Sequence, residues 1–308
     1  MAPKYHDPRT AGTEPPVTES QNSKLIRNSI TKLEHPISVQ DFYLQYFTAR
    51  QPLVIKFRDL AEIGWRTNLW TNDYLRYKAG AQTVQVQKRH HDEVFKPENS
   101  GYAPMAFRDF LARVMDNPDG DDSLYLNLQN FRENRTLEPP ALQLIGDYTI
   151  PYYFKDLLLR CINIWMGNSR TPIVTPLHHD FNDNLYTVVD GAKQFAIFPP
   201  DQAENLYVRG DIREVQPNGI IKYADLNNMP HVCKLDAFNP DVGRFPRYKL
   251  AEARRIDFTL QRNEMLFLPA GWFHQVSSSG RHVALSFFAE TPPSEQLEWI
   301  RQKVTDSM

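Results

Sequence analysis

From about residue 162 onward the sequence breaks into short apolar or alternating runs divided by turn residues. A chain punctuated this way can bury its apolar side chains only by packing short strands face to face. Strands are expected at 162–166, 175–181, 185–190, 193–198, 254–260, 264–268, 272–278 and 282–289. Eight such strands with intervening turns suit a double-sheet jelly roll. The segment 199–249 carries Pro217, Pro230, Pro240 and Pro246. It reads as a long insertion between the fourth and fifth strands, covering one rim.

Upstream, helix and strand alternate. Ser38 is placed to cap a helix running through Asp41, Phe42 and Tyr43 to Arg50, and Pro52 opens a strand from Leu53 to Phe57. Thr71 caps a second helix through Tyr74 and Leu75 that ends near Gly80. Thr83 to Gln87 alternates as a strand, and 123–128 reads as another. Between Met105 and Met115, Phe107, Phe110, Leu111 and Val114 share one helical face. The expected fold class is therefore mainly β with flanking α. A double-stranded β-helix (jelly-roll) core spans 161–290, with 25–160 as an N-terminal α/β extension packed on it and a C-terminal helix over 291–308. The first 24 residues, polar and carrying Pro3, Pro8, Pro15 and Pro16, are expected to be a disordered leader.

Composition narrows the function classes. A net charge of −2 over 308 residues lacks the basic excess of a dedicated nucleic-acid binder. No apolar run approaches the roughly 18 residues that would cross a bilayer. The two cysteines, Cys161 and Cys233, make neither a disulfide framework nor a zinc site. A cytoplasmic or nuclear location is expected, with no membrane partner.

The chemistry-bearing residues are His178 and Asp180, in Thr175-Pro176-Leu177-His178-His179-Asp180, and His274, in Phe267-Leu268-Pro269-Ala270-Gly271-Trp272-Phe273-His274. On a strand, His178 and Asp180 point to one face and His179 to the other. Two imidazoles and a carboxylate on one side of an octahedral metal leave three positions open, the arrangement of non-haem Fe(II) oxygenases. His90-His91-Asp92 repeats the spacing, but a polar stretch follows it instead of a strand pair. The second copy leads into Asn184–Pro200, read as a strand, a tight hairpin turn at Asp190-Gly191 and a second strand. On that second strand Lys193 shares a face with Phe195 and Ile197, which is unfavourable unless an anion such as a dicarboxylate pairs with it. The cluster Arg244, Arg247, Lys249, Arg254 and Arg255 reads as solvated surface. His6, His35, His231 and His282 sit in no constellation and receive no role.

Over about 35–290, and most specifically over 162–200 and 264–290, these motifs resemble the Jumonji-C (cupin-like) family of Fe(II)- and 2-oxoglutarate-dependent oxygenases. Within it the chain is similar to the small hydroxylases that lack reader domains. The phrases DNLYTVVDGAKQF, PDVGRFPRYKLAEA and EMLFLPAGWFHQV carry the resemblance. It implies His178, Asp180 and His274 as iron ligands and catalytic residues, with Fe(II) as cofactor and 2-oxoglutarate and O2 as co-substrates. It also implies Lys193 on the far carboxylate of 2-oxoglutarate, Thr175 and Tyr125 hydrogen-bonded to that carboxylate, and Asn184 near the metal-bound end. Ser286 stands where the family often has a longer asparagine. The implied activity is hydroxylation of a protein side chain (Lys, Arg or Asn) with succinate and CO2 as co-products. The alternatives are the same chemistry on a modified tRNA nucleoside or small molecule, and a non-oxidative metal-binding cupin or inactive binding module. A protein or peptide is the expected partner, with RNA less favoured and a homodimer the candidate assembly. The helical extension through which relatives dimerise is expected to be reduced, since the chain stops soon after Trp299.

Overall fold

A computed structural model describes residues 28–89, 101–127, 129 and 136–306. The 1–24 leader and the His90-His91-Asp92 copy lie outside the described residues. The strands are Thr31–Leu33 (β1), Leu53–Lys56 (β2), Thr83–Lys88 (β3), Tyr102–Ala106 (β4), Leu124–Leu126 (β5), Leu159–Val174 (β6), His178–His179 (β7), Asp183–Asp190 (β8), Ala192–Phe198 (β9), Ile212–Val215 (β10), Ile221–Tyr223 (β11), Ile256–Gln261 (β12), Glu264–Leu268 (β13) and Phe273–Ala289 (β14). All but β10 and β11 belong to one 12-stranded hydrogen-bonded network, ordered β1-β2-β13-β8-β14-β6-β5-β3-β4, with β7 and β9 branching from β14 and β12 pairing on β9.

The network becomes two layers because β14 changes partners along its length. Its first half, Phe273–Ser277, pairs with β9, and Phe273 and His274 also pair with β7. Its second half runs between β6 and β8. A register shift between Ser278 and Gly280 marks the bend, as expected where an extra residue turns a strand from one sheet into another. The strands expected at 272–278 and 282–289 are therefore one bent strand, and those expected at 162–166 and 175–181 become β6 and the short β7.

A second expectation is corrected at Asp190-Gly191. Strand β8 pairs with β13 and β14, whereas β9 pairs with β12 and β14. The turn is thus a corner that carries the chain between layers, not the tip of a hydrogen-bonded hairpin.

Period-two alternation sorts each strand between two cores. Outward residues Leu185, Val189, Met265, Phe267, Leu285 and Phe287 pack with Phe42, Phe47, Phe107, Phe110 and Tyr153 of the N-terminal extension. Inward residues Tyr186, Val188, Phe195, Ile197, Leu266, Leu268 and Val276 fill the space between the layers. The extension forms as its sequence dictates. Ser38 accepts from the Asp41 amide to start a helix at Val39–Phe42 (α1), which continues through a wider π turn over Tyr43–Phe47. Thr71 accepts from the Tyr74 amide to start Asn72–Ala79 (α2), and Phe107–Phe110 (α3) passes into a π turn at Leu111–Met115.

The insertion builds its own small core, with Leu206, Ile221, Leu235, Phe245 and Tyr248 packed on Phe198 and Phe273. It contains the β10–β11 ribbon and the short helix Tyr248–Glu252 (α4). Ser294–Asp306 forms the C-terminal helix (α5). Among the described residues no helix is long and apolar enough to cross a membrane.

Candidate metal centre and co-substrate pocket

His178 on β7 and His274 on β14 are cross-strand partners, so the ladder itself sets their rings side by side, with centroids 4.3 Å apart. The His178 Nδ1–H donates to the Pro176 carbonyl at 2.8 Å, and the His274 Nδ1–H donates to the Trp272 carbonyl at 3.1 Å. A carbonyl can only accept, so both rings keep Nε2 as the lone-pair nitrogen. These Nε2 atoms face the Asp180 carboxylate, at 3.9 Å from Oδ1 for His178 and 3.7 Å from Oδ2 for His274. One donor atom from each of the three residues lies within 4.8 Å of the others. Burial, with His178 alongside, lowers the His274 pKa to about 4, which keeps it an unprotonated donor at neutral pH. Two imidazoles and a carboxylate converging from one side fit a divalent transition metal that prefers mixed nitrogen and oxygen donors. His179 points the other way. It is buried, its Nδ1–H meets the Asp180 carbonyl at 3.1 Å, and the Tyr223 hydroxyl donates to its Nε2 at 2.6 Å. It pins the insertion to β7.

The turn before His274 is held from several directions. Gly271 donates to the Asp180 carbonyl at 3.0 Å, and Ala270 donates to the buried Asp183 carboxylate at 2.8 Å. Arg50 forks onto the same carboxylate, donates through Nε to the Asn218 carbonyl at 2.9 Å, and accepts from the Trp272 indole at 3.0 Å. Gly271 has φ +80°, and a Cβ there would lie 1.8 Å from the Gly219 carbonyl oxygen, so the turn and the insertion touch backbone to backbone. Replacing Asp183 by alanine strands a buried guanidinium. A loss of about 3–5 kcal/mol is expected in urea unfolding, and the Arg50→Ala/Asp183→Ala double variant should lose less than the two singles summed. An additive double variant would show that the pair carries no coupling.

Beside His178, Asp180 and His274 a cavity of about 60 Å³ is lined by Tyr125, Trp165, Thr175, Asn184, Tyr186, Lys193 and Phe288 among others. Lys193, only 2% exposed, does not reach solvent. Its Nζ donates to the Tyr125 hydroxyl at 3.0 Å and to Ser278 Oγ at 3.3 Å, and among the described residues no carboxylate pairs with it. Burial alone lowers its pKa from 10.5 to about 7. The Thr175 hydroxyl accepts from the Val276 amide at 3.0 Å. Asn184 Oδ1 is buried without a hydrogen-bond partner. The uncompensated cation fits an anionic small molecule, while the orphaned Asn184 oxygen is an acceptor that calls for a donor such as a water molecule.

Ser286 lies behind this wall, fully buried, and its hydroxyl accepts from the Trp165 indole at 2.7 Å. Its shortness leaves room for the indole, which then lines the cavity.

Three residues near the site were invisible from motif spacing. Ser278 continues the inward face of His274 and Val276, an alternation already contained in the strand expected at 272–278. His282 follows the bend and returns to contact Ser278. His231 comes from the insertion, and its ring centre lies 6.4 Å from that of His178.

A jelly roll with two histidines and a carboxylate gathered at its inner strands is the layout of a cupin, and this chain belongs to the cupin-like JmjC family, whose cupin-like domain model matches residues 39–295. Among its relatives, JmjC domain-containing protein 4 of Schizosaccharomyces pombe is 31% identical over 205 residues, 61% of this chain and 42% of that protein. The chain thus spans less than half the length of that relative. Human tRNA wybutosine-synthesizing protein 5 is 27% identical over 269 residues, covering 84% of this chain and 77% of the relative. The human bifunctional peptidase and (3S)-lysyl hydroxylase JMJD7 is 28% identical over 271 residues, covering 84% of each chain.

Proposed function

We propose that this protein is an Fe(II)- and 2-oxoglutarate-dependent oxygenase that hydroxylates a lysine, arginine or asparagine side chain of a protein or peptide. The observation that carries the reading is Lys193, a buried amine with no carboxylate partner among the described residues, in the same cavity as His178, Asp180 and His274. His178, Asp180 and His274 would hold the iron, which with 2-oxoglutarate and O2 supplies the oxidising power for C–H hydroxylation, with succinate and CO2 as co-products.

The chain's own residues bind and orient. Lys193 and Tyr125 would receive the far carboxylate of 2-oxoglutarate, with Thr175 at the same wall. Asn184, another residue of the cavity wall, would lie near the metal-bound end. Trp165, held by Ser286, joins Tyr186, Phe195 and Phe288 in lining the pocket and excluding water. Ser286 would therefore act on the co-substrate through the indole. A protein substrate is favoured over RNA because the net charge is −2 and a lysyl hydroxylase is among the relatives.

The test is succinate formation by anaerobically Fe(II)-loaded protein given 2-oxoglutarate and oxygen, beside a His178→Ala control. Slow uncoupled turnover is expected, and it should vanish in the variant. Absence of both succinate and 2-oxoglutarate binding would replace the reading with a non-oxidative cupin. Single-oxygen mass gains on peptides, against none on tRNA nucleosides, would identify the substrate class, and the reverse result would move it to RNA.

A further inference from the structure

Behind Lys193 the strands build a closed relay that the co-substrate reading does not by itself require. His282 is fully buried, and Ser278 is 6% exposed. The His282 Nδ1 lies 2.9 Å from the Gly280 carbonyl, so that nitrogen carries the proton and donates. Its Nε2 is therefore the acceptor, and it takes the Ser278 O–H at 3.2 Å. With its proton committed to His282, Ser278 meets the Lys193 ammonium as an acceptor, at 3.3 Å. Tyr125 accepts a second ammonium proton at 3.0 Å.

This ordering leaves two donors for a ligand: the third N–H of Lys193 and the O–H of Tyr125. Two donors match the two oxygens of one carboxylate. The direction of every bond follows from the imidazole, which is anchored on a backbone carbonyl.

The ring also has no room to retreat. Gly167 lies opposite it on β6, and a Cβ at that position would sit 2.8 Å from the imidazole Cε1 and Nε2 and 3.1 Å from Tyr125 Cδ2. The absent side chain at 167 is what lets the imidazole lie flat against the strand, with Tyr125 at a centroid distance of 5.7 Å.

Resting on the 2-oxoglutarate reading, we infer that His282, one layer behind the residues lining the co-substrate pocket, is the support beneath its Lys193 floor. Acting through Ser278, this positioning residue fixes how deep Lys193 sits and so sets the length of 2-oxo dicarboxylate that the site accepts.

The experiment is calorimetric binding of 2-oxoglutarate and of 2-oxoadipate, one methylene longer, to the Mn(II)-loaded full chain. The wild type should bind 2-oxoglutarate and discriminate against the longer acid. In His282→Ala the emptied space lets Lys193 sink, so the affinity ratio should shift about tenfold or more toward 2-oxoadipate. His282→Gln, which can still accept from Ser278, should keep most of the wild-type order. Ser278→Ala removes an acceptor without opening the floor. It should weaken both acids by about tenfold and, because it cuts the link between His282 and Lys193, shift their ratio in the same direction as His282→Ala, though less.

Equal losses of both acids in His282→Ala, or an unchanged ratio, would overturn the inference while wild-type binding left the co-substrate reading standing. If the wild type itself failed to bind 2-oxoglutarate, that reading would fall and take the floor with it. Should His282→Ala not fold, undiminished binding in Ser278→Ala would refute the relay on its own.

Discussion

Asp180→Ala is expected to lower divalent-metal affinity by more than about 100-fold and to bring 2-oxoglutarate turnover to background, while the metal-free protein still folds. The loss exceeds the roughly 10–100-fold typical of residues that only support a ligand, because Asp180 supplies the one negative charge among the three donors. The fold should survive because the side chain is partly exposed and packs in none of the hydrophobic cores. The Asp180 backbone carbonyl that accepts from Gly271 is untouched by the substitution, so the turn before His274 keeps its anchor. Co(II) titration followed by absorbance reads the affinity, and circular dichroism reads the fold. The same titration on His90→Ala separates the two copies of the motif: that variant should bind metal as the wild type does. Metal affinity that survived Asp180→Ala but collapsed in His90→Ala would move the centre to the other copy.

The triad was legible in the sequence because its geometry is local. Alternation places His178 and Asp180 on one face regardless of what else the chain does, and an anchored strand brings His274 to the neighbouring position. Lys193 was legible for a related reason, since a lysine between large apolar neighbours on one face has to be explained. What escaped was set by long-range pairing. The two expected strands at 272–278 and 282–289 hid a single strand bent at a bulge, so Ser278 and His282 stood at the ends of separate strands and their contact on the inner wall did not show. Asp190-Gly191 has the composition of a hairpin tip, yet β8 and β9 find their partners in different layers. The Arg50–Asp183 pair joins positions 133 residues apart, and no local pattern announces such a contact. The insertion's proline spacing showed an irregular excursion but not the β10–β11 ribbon that supplies Tyr223 to His179.

Lys193→Met is expected to make the ligand-free protein more stable and, at the same time, unable to bind 2-oxoglutarate. A buried ammonium without an anion is a folding penalty, and methionine fills nearly the same volume without the charge. The gain is reduced by about 1 kcal/mol for each partner left behind, here Tyr125 Oη and Ser278 Oγ. The pH dependence distinguishes this account from simple repacking. Burial depresses the folded pKa of Lys193 to about 7 from 10.5, and its neighbours Tyr125, Ser278 and His282 contribute no negative charge at neutral pH. Between those two values the unfolded chain holds more protons than the folded one, so wild-type stability should rise with pH across that window. The slope is at most about 1.4 kcal/mol per pH unit. Below pH 7 lysine is charged in both states and the whole penalty is present. The advantage of the methionine variant should therefore be largest near pH 6 and fade as pH climbs toward 10. Taking the difference between the two proteins in urea cancels the titrations they share. Binding reports the same physics from the other side. At pH 8 the incoming carboxylate restores the proton to Lys193, so 2-oxoglutarate should take up close to one proton, read from calorimetry in buffers of different ionisation enthalpy. A methionine variant less stable than wild type at pH 6, or a difference that ignores pH, would mean that Lys193 has its charge compensated within the ligand-free fold.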